Sequence, residues 1–211
     1  YSQSSEKQEC RDHCYQQLLK VVDPRIRDFS VLTMPSITGI EDPKSFEWGV
    51  HQLHDQGYNP RIVGVENKLS WEMWERLQSL DLIKSLRVVR GQVSDFLKSD
   101  LYWYPPFLLA WLDYCSAFDA TKLEDLKLFF NYQRSRRAKA FVFAATYNIG
   151  SHRGAKEDAV LNPEVIGRTF LRVANAYKFS PRRNSLRAFP YKNEGAKVEM
   201  LYLSGIFQAK E

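Results

Sequence analysis

Phe107-Leu-Leu-Ala-Trp-Leu-Asp113 and Arg61-Ile-Val-Gly-Val-Glu66 are two apolar runs, each stopped by one carboxylate. A helical pattern follows each run, which predicts a buried β-strand and then a helix in an α/β sheet. In an open, mostly parallel sheet, ligands bind in the crevice beyond the carboxyl ends of the strands. Glu66 and Asp113 are therefore candidates for contact with a bound ligand.

The same alternation of strand and helix extends outward from these two runs. Three further strands, each with a helix after it, are predicted at 29–34, 85–90 and 139–145. A helix over 5–22 precedes them, and a capping box starting at Thr121 predicts the beginning of the fourth βα helix. Two strand-like runs, 185–191 and 198–207, close the chain as a hairpin. The expected order is a helix, five βα units and a terminal β-hairpin.

Composition indicates a single globular domain. The 211 residues fit one domain of ordinary to large size, and a hydrophobic fraction of 44% is ample for a core. The three cysteines form no CxxC pair, which favours a reducing, cytoplasmic setting. No apolar run is long enough to cross a bilayer, so no membrane partner is expected. His51 and His54 lie at i and i+3, which is not the spacing of a zinc helix, so no metal is predicted.

The net charge of +5 is distributed unevenly along the chain. Residues 131–192 hold 13 Lys and Arg against 3 Asp and Glu, whereas residues 1–130 hold 15 against 19. Such asymmetry is typical of a face that meets a polyanion, usually a nucleic acid. A membrane surface, a phosphorylated substrate or a merely soluble basic surface gives the same pattern. The arginines near the fourth helix end and the hairpin are Arg134, Arg136, Arg137, Arg182, Arg183 and Arg187.

Five βα units closed by a hairpin resemble the layout of class I S-adenosylmethionine-dependent methyltransferases, from Phe29 to Phe207. The resemblance implies a Rossmann-like three-layer sandwich over 29–211, with a mostly parallel seven-stranded sheet and a C-terminal antiparallel β-hairpin. Residues 1–28 would form an N-terminal helix packing on that domain. Leu112-Asp-Tyr-Cys115 further resembles divergent methyltransferase-like proteins of phages and other mobile elements.

The resemblance implies S-adenosylmethionine as cofactor and places its contacts at strand ends. Glu66, with Asn67 beside it, would take the ribose hydroxyls, since one carboxylate can accept two hydrogen bonds. Gln92 and Val93 follow the third strand, where the family reads the adenine, and Gln92 replaces the customary Asp. The Gly-rich first loop of the family has a single glycine here. Its candidate contacts are Pro35, Ser36, Thr38, Gly39 and Glu41.

The acceptor would bind beside the ends of the fourth and fifth strands. Asp113 would orient the acceptor next to the transferred methyl group and contact the methionine part of the cofactor. Tyr114 stands where amino-methyltransferases place an aromatic side chain. Candidate acceptor contacts after the fifth strand are Tyr147, Asn148, His152 and Arg153. The expected reaction is methyl transfer to a nucleic acid, bound with the help of the basic 131–192 segment, or to another anionic molecule.

Several alternatives stay open at this point. Cys115 distantly resembles the nucleophile of pyrimidine C5-methyltransferases. Ribose 2′-O-methyltransferases use a catalytic set of Lys, Asp, Lys and Glu. Asp113 and Glu199 lie near the positions of its two acidic residues, and Lys20 and Lys139 are candidates for its two lysines. The unusual first loop also suits a non-catalytic module that binds nucleic acid or protein. An enzyme using a different nucleotide cofactor on the same sheet is a further alternative.

Overall fold

The computed structural model describes residues 5–35, 45–67, 75, 86–99, 104–114, 116–150, 159–192 and 198–210. The helices of this part of the chain are α1 (Ser5–Leu19), α2 (Phe46–His51), α3 (Val93–Lys98), α4 (Ala120–Ser135) and α5 (Pro163–Ala176), with a 3-10 helix at Gln52–Gln56. The strands are β1 (Asp28–Thr33), β2 (Asn59–Glu66), β3 (Leu86–Arg90), β4 (Phe107–Asp113), β5 (Ala140–Asn148), β6 (Phe179–Pro181), β7 (Arg187–Lys192) and β8 (Glu199–Ala209). The helix predicted between β2 and β3 lies outside the described residues.

All eight described strands belong to one sheet in the order β3-β2-β1-β4-β5-β8-β6, with β7 also paired to β8. Strands β1 to β5 pair in parallel, and β8 runs antiparallel to β5. This arrangement confirms the predicted fold class. The structure has one strand more than predicted because β6 and β7 share the outer edge of β8. Strand β6 has only three residues, too short a run to show a period in the sequence.

The helices cover both faces of the sheet. Along β4, Leu109 and Trp111 face the core beneath α1 and α2, whereas Ala110 and Leu112 face the core beneath α3, α4 and α5. Because side chains alternate along a strand, Asp113 continues the face of α1 and α2. No helix of the described residues is long and apolar enough to span a membrane.

Short polar side chains begin the helices, although not always at the predicted residue. The Asp119 carboxylate accepts a hydrogen bond from the Lys122 N–H (3.1 Å), so α4 begins before the capping box predicted at Thr121. Asp and Thr are both good N-caps, and only the backbone dihedral angles decide between them. For α5, Asn162 caps the helix and Pro163 is its first residue.

Helix α1 docks on the sheet through a face that is unusually polar. Its buried residues are Lys7, Cys10, Cys14, Gln17 and Leu18. Burial raises the pKa of the Cys10 thiol to about 12, so this cysteine behaves as a small apolar group. The division of the chain into a helix at 1–28 and a domain at 29–211 stays a prediction.

His13 joins α1 to β8 in its neutral form. Its Nδ1 lies 3.0 Å from the Tyr202 hydroxyl, and its Nε2 lies 3.1 Å from the amide nitrogen of Gln17. The same amide nitrogen donates to the Ser185 carbonyl at 3.0 Å. Because an amide nitrogen only donates, the partners assign Nε2 of His13 as an acceptor and place its proton on Nδ1. A second proton on this ring would sit on Nε2 and face the N–H of the Gln17 amide, which cannot accept it.

We expect the free energy of unfolding to fall as the pH drops below 6.5, the ordinary pKa of histidine. Burial first, and then the charges of Arg187 and Lys20, lower the pKa of His13, so the unfolded chain binds a proton that the folded chain resists. Urea unfolding at several pH values should show that His13→Gln loses this part of the pH dependence. The control His54→Gln leaves the contacts of His13 in place and should keep this part of the pH dependence. The same pH dependence in His13→Gln and wild type would contradict the assignment.

Candidate functional site

The carboxyl ends of β1 to β5 meet at one edge of the sheet, named here the carboxyl edge. The strand order reverses direction between β1 and β4, which are neighbours in the sheet. Just beyond β1, the Met34 N–H donates to the Trp111 carbonyl at 3.2 Å. In open α/β sheets, the ligand crevice lies at such a reversal, beyond the strand ends. The fold therefore directs a ligand to the space beyond Pro35 and Asp113.

Asp113, the last residue of β4, is held by two partners. Its Oδ2 lies 2.6 Å from Nζ of Lys7 on α1, and its Oδ1 accepts a 2.5 Å hydrogen bond from the Thr146 hydroxyl on β5. The side chains of Lys7 and Asp113 are only 5% and 8% exposed. Removing one partner of such a pair would leave an uncompensated buried charge. Helix α1 is therefore part of the site.

A second buried carboxylate, Glu47 of α2, lies on the same face of the sheet. It accepts a 2.7 Å hydrogen bond from the hydroxyl of Thr33, the last residue of β1. Burial raises the pKa of Glu47, and the hydrogen bond from Thr33 opposes the shift. The charge of Asp113 also raises this pKa, while the charge of Arg11 lowers it. The charge of Asp113 at the end of β4 thus reaches Glu47, which is hydrogen-bonded to the end of β1.

Sequence reasoning missed Lys7, Glu47 and Thr146, although the first two carry a signal. Lys7 precedes the buried Cys10 by three positions, so it lies on the buried stripe of its helix. Glu47 precedes the buried Val50 by the same interval. A charged residue on such a stripe needs a buried partner, because isolated buried charges are strongly disfavoured. Thr146 gives no comparable signal, since threonine is common in strands of every kind.

Glu66 ends β2 and is separated from Asp113 by β1 alone. Its carbonyl accepts a hydrogen bond from the Gly91 N–H at 3.2 Å, which joins the end of β2 to the turn after β3. Gly91 has φ +150°, a conformation that side chains rarely adopt, and a Cβ there would meet nothing within 4 Å. Gln92 is exposed, whereas Val93 starts α3 and is buried. Glu66 and Gln92 therefore border open space at neighbouring strand ends.

Pro35 starts the first loop with its ring packed against β2. A Cβ at Gly64 would lie 2.6 Å from Cγ of Pro35, so the buried ring occupies the space that this glycine leaves. A glycine inside a strand often marks such a close approach of another segment. The remaining candidates of this loop lie outside the described residues, and their cofactor contacts stay predictions: Ser36, Thr38, Gly39 and Glu41.

Tyr114 and Tyr147 lie beneath the carboxyl edge, on the α4 side of the sheet. Their rings stack with centroids 5.5 Å apart, and the Tyr114 hydroxyl donates to Asp125 of α4 at 2.7 Å. Both side chains are buried, and burial, followed by the charge of Asp125, raises the pKa of each. In this position they pack and hydrogen-bond. The catalytic role of Tyr114 and the acceptor role of Tyr147 stay predictions.

Asn148 fixes the turn after β5 against the start of β8. Its buried Oδ1 accepts from the Gly150 N–H at 3.0 Å, and the same N–H donates to the Glu199 carbonyl at 3.1 Å. Asn67 is exposed just beyond β2. The roles of both asparagines stay predictions. The remaining candidates near this edge lie outside the described residues: Cys115, His152 and Arg153.

Lys7, rather than Lys20 or Lys139, is the lysine that pairs with Asp113. Lys139 precedes β5 and so lies at the amino ends of the parallel strands, opposite the carboxyl edge. Lys20 follows the far end of α1, about 20 Å from Lys7 along the helix axis at 1.5 Å per residue. The buried stripe of α1 favours Lys7 over Lys20, but only the direction of α1 across the sheet brings Lys7 to Asp113.

The sheet order, with β8 inserted antiparallel beside β5 and helices on both faces, defines the fold of class I S-adenosylmethionine-dependent methyltransferases. The chain is similar to M. jannaschii TYW2 in complex with AdoMet, with a TM-score of 0.51 and 9% identity, over 93% of this chain and 76% of that one. It is also similar to the proposed methylase HI0767 from Haemophilus influenzae, with a TM-score of 0.50 and 13% identity, over 96% of this chain and 99% of that one. At these identities the likeness shows the fold alone. No family model matches the chain, and no curated protein matches it in sequence. The finer resemblance to phage and mobile-element proteins stays a prediction.

We expect Lys7→Met to lower the free energy of unfolding by about 3 kcal/mol or more, because it leaves Asp113 buried without its cation. Asp113→Asn should cost a similar amount, since it removes the negative charge that pairs with the buried Lys7 ammonium. The double variant Lys7→Met/Asp113→Asn should recover much of the loss, because neither charge remains. Urea denaturation of the four proteins measures this coupling, and the control Lys20→Met should change stability by about 0.5 kcal/mol or less. Losses that simply add would contradict the pairing.

Proposed function

We propose that this protein transfers a methyl group from S-adenosylmethionine to a nucleic acid or another anionic acceptor. The main observation that supports this proposal is the grouping of Glu66, Gln92 and Asp113 along the carboxyl edge of a methyltransferase-like sheet. Similarity of fold supports methyl transfer in general, and the residues at this edge support the particular assignment.

The polar groups of the carboxyl edge suit the parts of S-adenosylmethionine. The Glu66 carboxylate can accept hydrogen bonds from both ribose hydroxyls, and the exposed Gln92 amide can bond the exocyclic amine of adenine. The open space beside Gly91 leaves room for that ring. Pro35 and Asp113 would flank the methionine part. When bound, S-adenosylmethionine supplies a methyl group already activated by its sulfonium, so the protein contributes mainly positioning.

The ion pair of Lys7 and Asp113 favours a hydroxyl acceptor over an amine. Each carboxylate oxygen of Asp113 accepts one donor, from Lys7 or Thr146, and keeps one lone pair for a further donor, which suits the single O–H of a hydroxyl better than the several N–H groups of an amine. A hydroxyl oxygen can instead accept a hydrogen bond from the Lys7 ammonium while its own proton passes to Asp113. In a nucleic acid, the ribose 2′-hydroxyl of RNA is a group of this kind.

A non-catalytic binding module is the second candidate. The observation that favours it is the Pro35 ring, which packs against Gly64 where the family has a glycine-rich loop close to the cofactor. The pairing of Asp113 with Lys7 would then be structural. Binding of S-adenosylmethionine separates the two candidates.

We expect S-adenosylmethionine and S-adenosylhomocysteine to bind with a Kd on the order of micromolar by isothermal titration. Glu66→Ala should weaken binding about tenfold or more, because it removes charge-assisted hydrogen bonds to the ribose. Glu164→Ala removes an exposed carboxylate on α5 and should bind as the wild type does. No binding by a wild-type protein shown to be folded would overturn the methyltransferase proposal and leave the binding module.

We expect labelled methyl transfer to RNA oligonucleotides and none to 2′-deoxy oligonucleotides of the same sequence. Asp113→Asn should lower kcat about 100-fold, as expected for loss of a proton acceptor. Nuclease digestion followed by chromatography locates the label. Label on a base, or equal label in DNA, would contradict the hydroxyl acceptor while leaving methyl transfer in place.

A further inference from the structure

A group of basic side chains lies at the opposite edge of the sheet from the candidate site. Its members are exposed or half-buried, and together they are named here the amino-edge basic surface: Arg134, Arg136, Arg137, Lys139, Lys178, Arg182 and Lys210. Most of them belong to the 131–192 segment whose charge the sequence relates to a polyanion. The structure separates this charge from the carboxyl edge.

Three lysines of this surface follow or precede neighbouring strands. Lys139 precedes β5, Lys210 follows β8 and Lys178 precedes β6, and β8 lies between the other two strands. Backbone hydrogen bonds join them, from the Ala209 N–H to the Lys139 carbonyl (3.0 Å) and from the Lys210 N–H to the Lys178 carbonyl (2.8 Å). Neighbouring strands are about 4.8 Å apart, so the three lysines form a row on a rigid support.

The arginines reach this edge because α4 runs across the sheet from the carboxyl edge. Arg134 lies in its last turn and Arg136 is its C-cap, with the guanidinium carbon 5.4 Å from the centre of the Tyr132 ring. Arg182 follows β6, and its N–H donates to the Ile206 carbonyl at 2.7 Å. The backbone at each of these positions is held by helix or sheet hydrogen bonds.

Two residues of the surface occupy backbone conformations that favour glycine. Among the described residues, the non-glycine positions with positive φ are Arg137 (54°), Lys178 (65°) and Asn184 (59°). Arg137 and Lys178 follow the ends of α4 and α5, where glycine is the usual residue. Attraction to the helix dipole accounts for a positive charge near a helix end, but it requires no left-handed residue. The helix dipole also does not explain the positive charges of Lys139 and Lys210, since these residues adjoin strands rather than helices.

Few carboxylates compensate this charge. Within the described part of 131–192, the only one is Glu164, which lies in the first turn of α5 and pairs with Arg168. Nearby Asp23 forms an exposed pair with Arg25. The charge is carried by strand and helix ends rather than by an amphipathic helix with an apolar face, the pattern typical of membrane-surface binding. This arrangement fits a phosphodiester backbone better than a lipid surface.

We propose that the amino-edge basic surface binds the phosphodiester backbone of a nucleic acid, at a distance from the methyl-transfer site. Strand β5 spans both edges, and its nine residues separate them by about 25 Å at 3.3 Å per residue. Backbone binding and entry of the acceptor group therefore occur at opposite edges of one sheet. The separation from acceptor entry rests on the proposed function, whereas binding at this surface requires no S-adenosylmethionine and is measured independently of it.

Fluorescence anisotropy with labelled single-stranded RNA and DNA, without S-adenosylmethionine and at several salt concentrations, tests the inference. Lys139→Gln/Lys178→Gln/Lys210→Gln should bind about tenfold or more weakly, and the slope of log K against log salt should fall by about 2, at roughly 0.7 per lost phosphate contact. The matched control Lys98→Gln/Lys127→Gln/Arg168→Gln removes the same charge from the outer faces of α3, α4 and α5. It should keep nearly the wild-type affinity and slope.

Lys178→Gly separates a binding role from a structural one. Glycine adopts positive φ without strain, so this variant should be at least as stable as the wild type and still bind nucleic acid more weakly. Unchanged affinity in this variant and in the triple lysine variant would overturn the inference.

Three other outcomes would also overturn it. They are equal weakening by the control triple, no binding by the wild type, and binding only to vesicles containing phosphatidylserine. Isothermal titration with S-adenosylmethionine on the triple lysine variant should match the wild type. Failure of nucleic-acid binding and failure of the cofactor site are therefore distinguishable.

Discussion

The buried ion pair between Lys7 and Asp113 fixes the N-terminal helix to the end of β4, and the chemistry of the site depends on it. Taking both charges out of water costs several kcal/mol per ion, which the structure offsets only while they remain paired. Helix α1 packs Cys10, Cys14 and Leu18 into the core on this face of the sheet, and the polar side chains of His13 and Gln17 add hydrogen bonds to the same docking. The docking of α1 and the position of the Asp113 carboxylate therefore depend on the same ion pair.

The alternation of side chains along each strand divides the carboxyl edge into two environments. Thr33 and Asp113 end their strands, and Thr146 lies two residues before the end of β5, all on the side of α1 and α2, where Glu47 bonds Thr33 and Lys7 pairs with Asp113. Tyr114, directly after β4, and Tyr147 of β5 face α4 instead, where their rings stack within an aromatic core. A shift of one residue in the register of β4 would exchange these environments, because the side-chain period of a strand is two. The polar site thus depends on the same register that packs the core.

The sequence predicts the strands more closely than it predicts the partners of their polar ends. Strand β4 has the predicted limits because an uninterrupted apolar run, bounded by Pro106 and Asp113, is long enough to identify a buried parallel strand. The site positions of Glu66 and Asp113 follow from the same pattern. The pairing of Lys7 with Asp113 could not be predicted, since it depends on the direction in which α1 crosses the sheet. A charged residue on a buried helical stripe nonetheless indicates that some buried partner exists.

Charge distribution along the chain likewise identifies a segment but not its place in the fold. Each helix of a βα unit returns the chain from the carboxyl edge to the amino edge, so residues at the ends of α4 and α5 must lie far from the residues at the ends of β4 and β5. Arg137 and Lys178 occupy such returns. A basic segment that continues through a return therefore contributes its charge to the edge opposite the ligand crevice. In a parallel sheet, basic residues that follow helices lie at the amino edge, whereas residues that follow strands lie at the carboxyl edge. A polyanion attracted by such basic residues is therefore bound at the edge opposite the one where the reacting group is positioned.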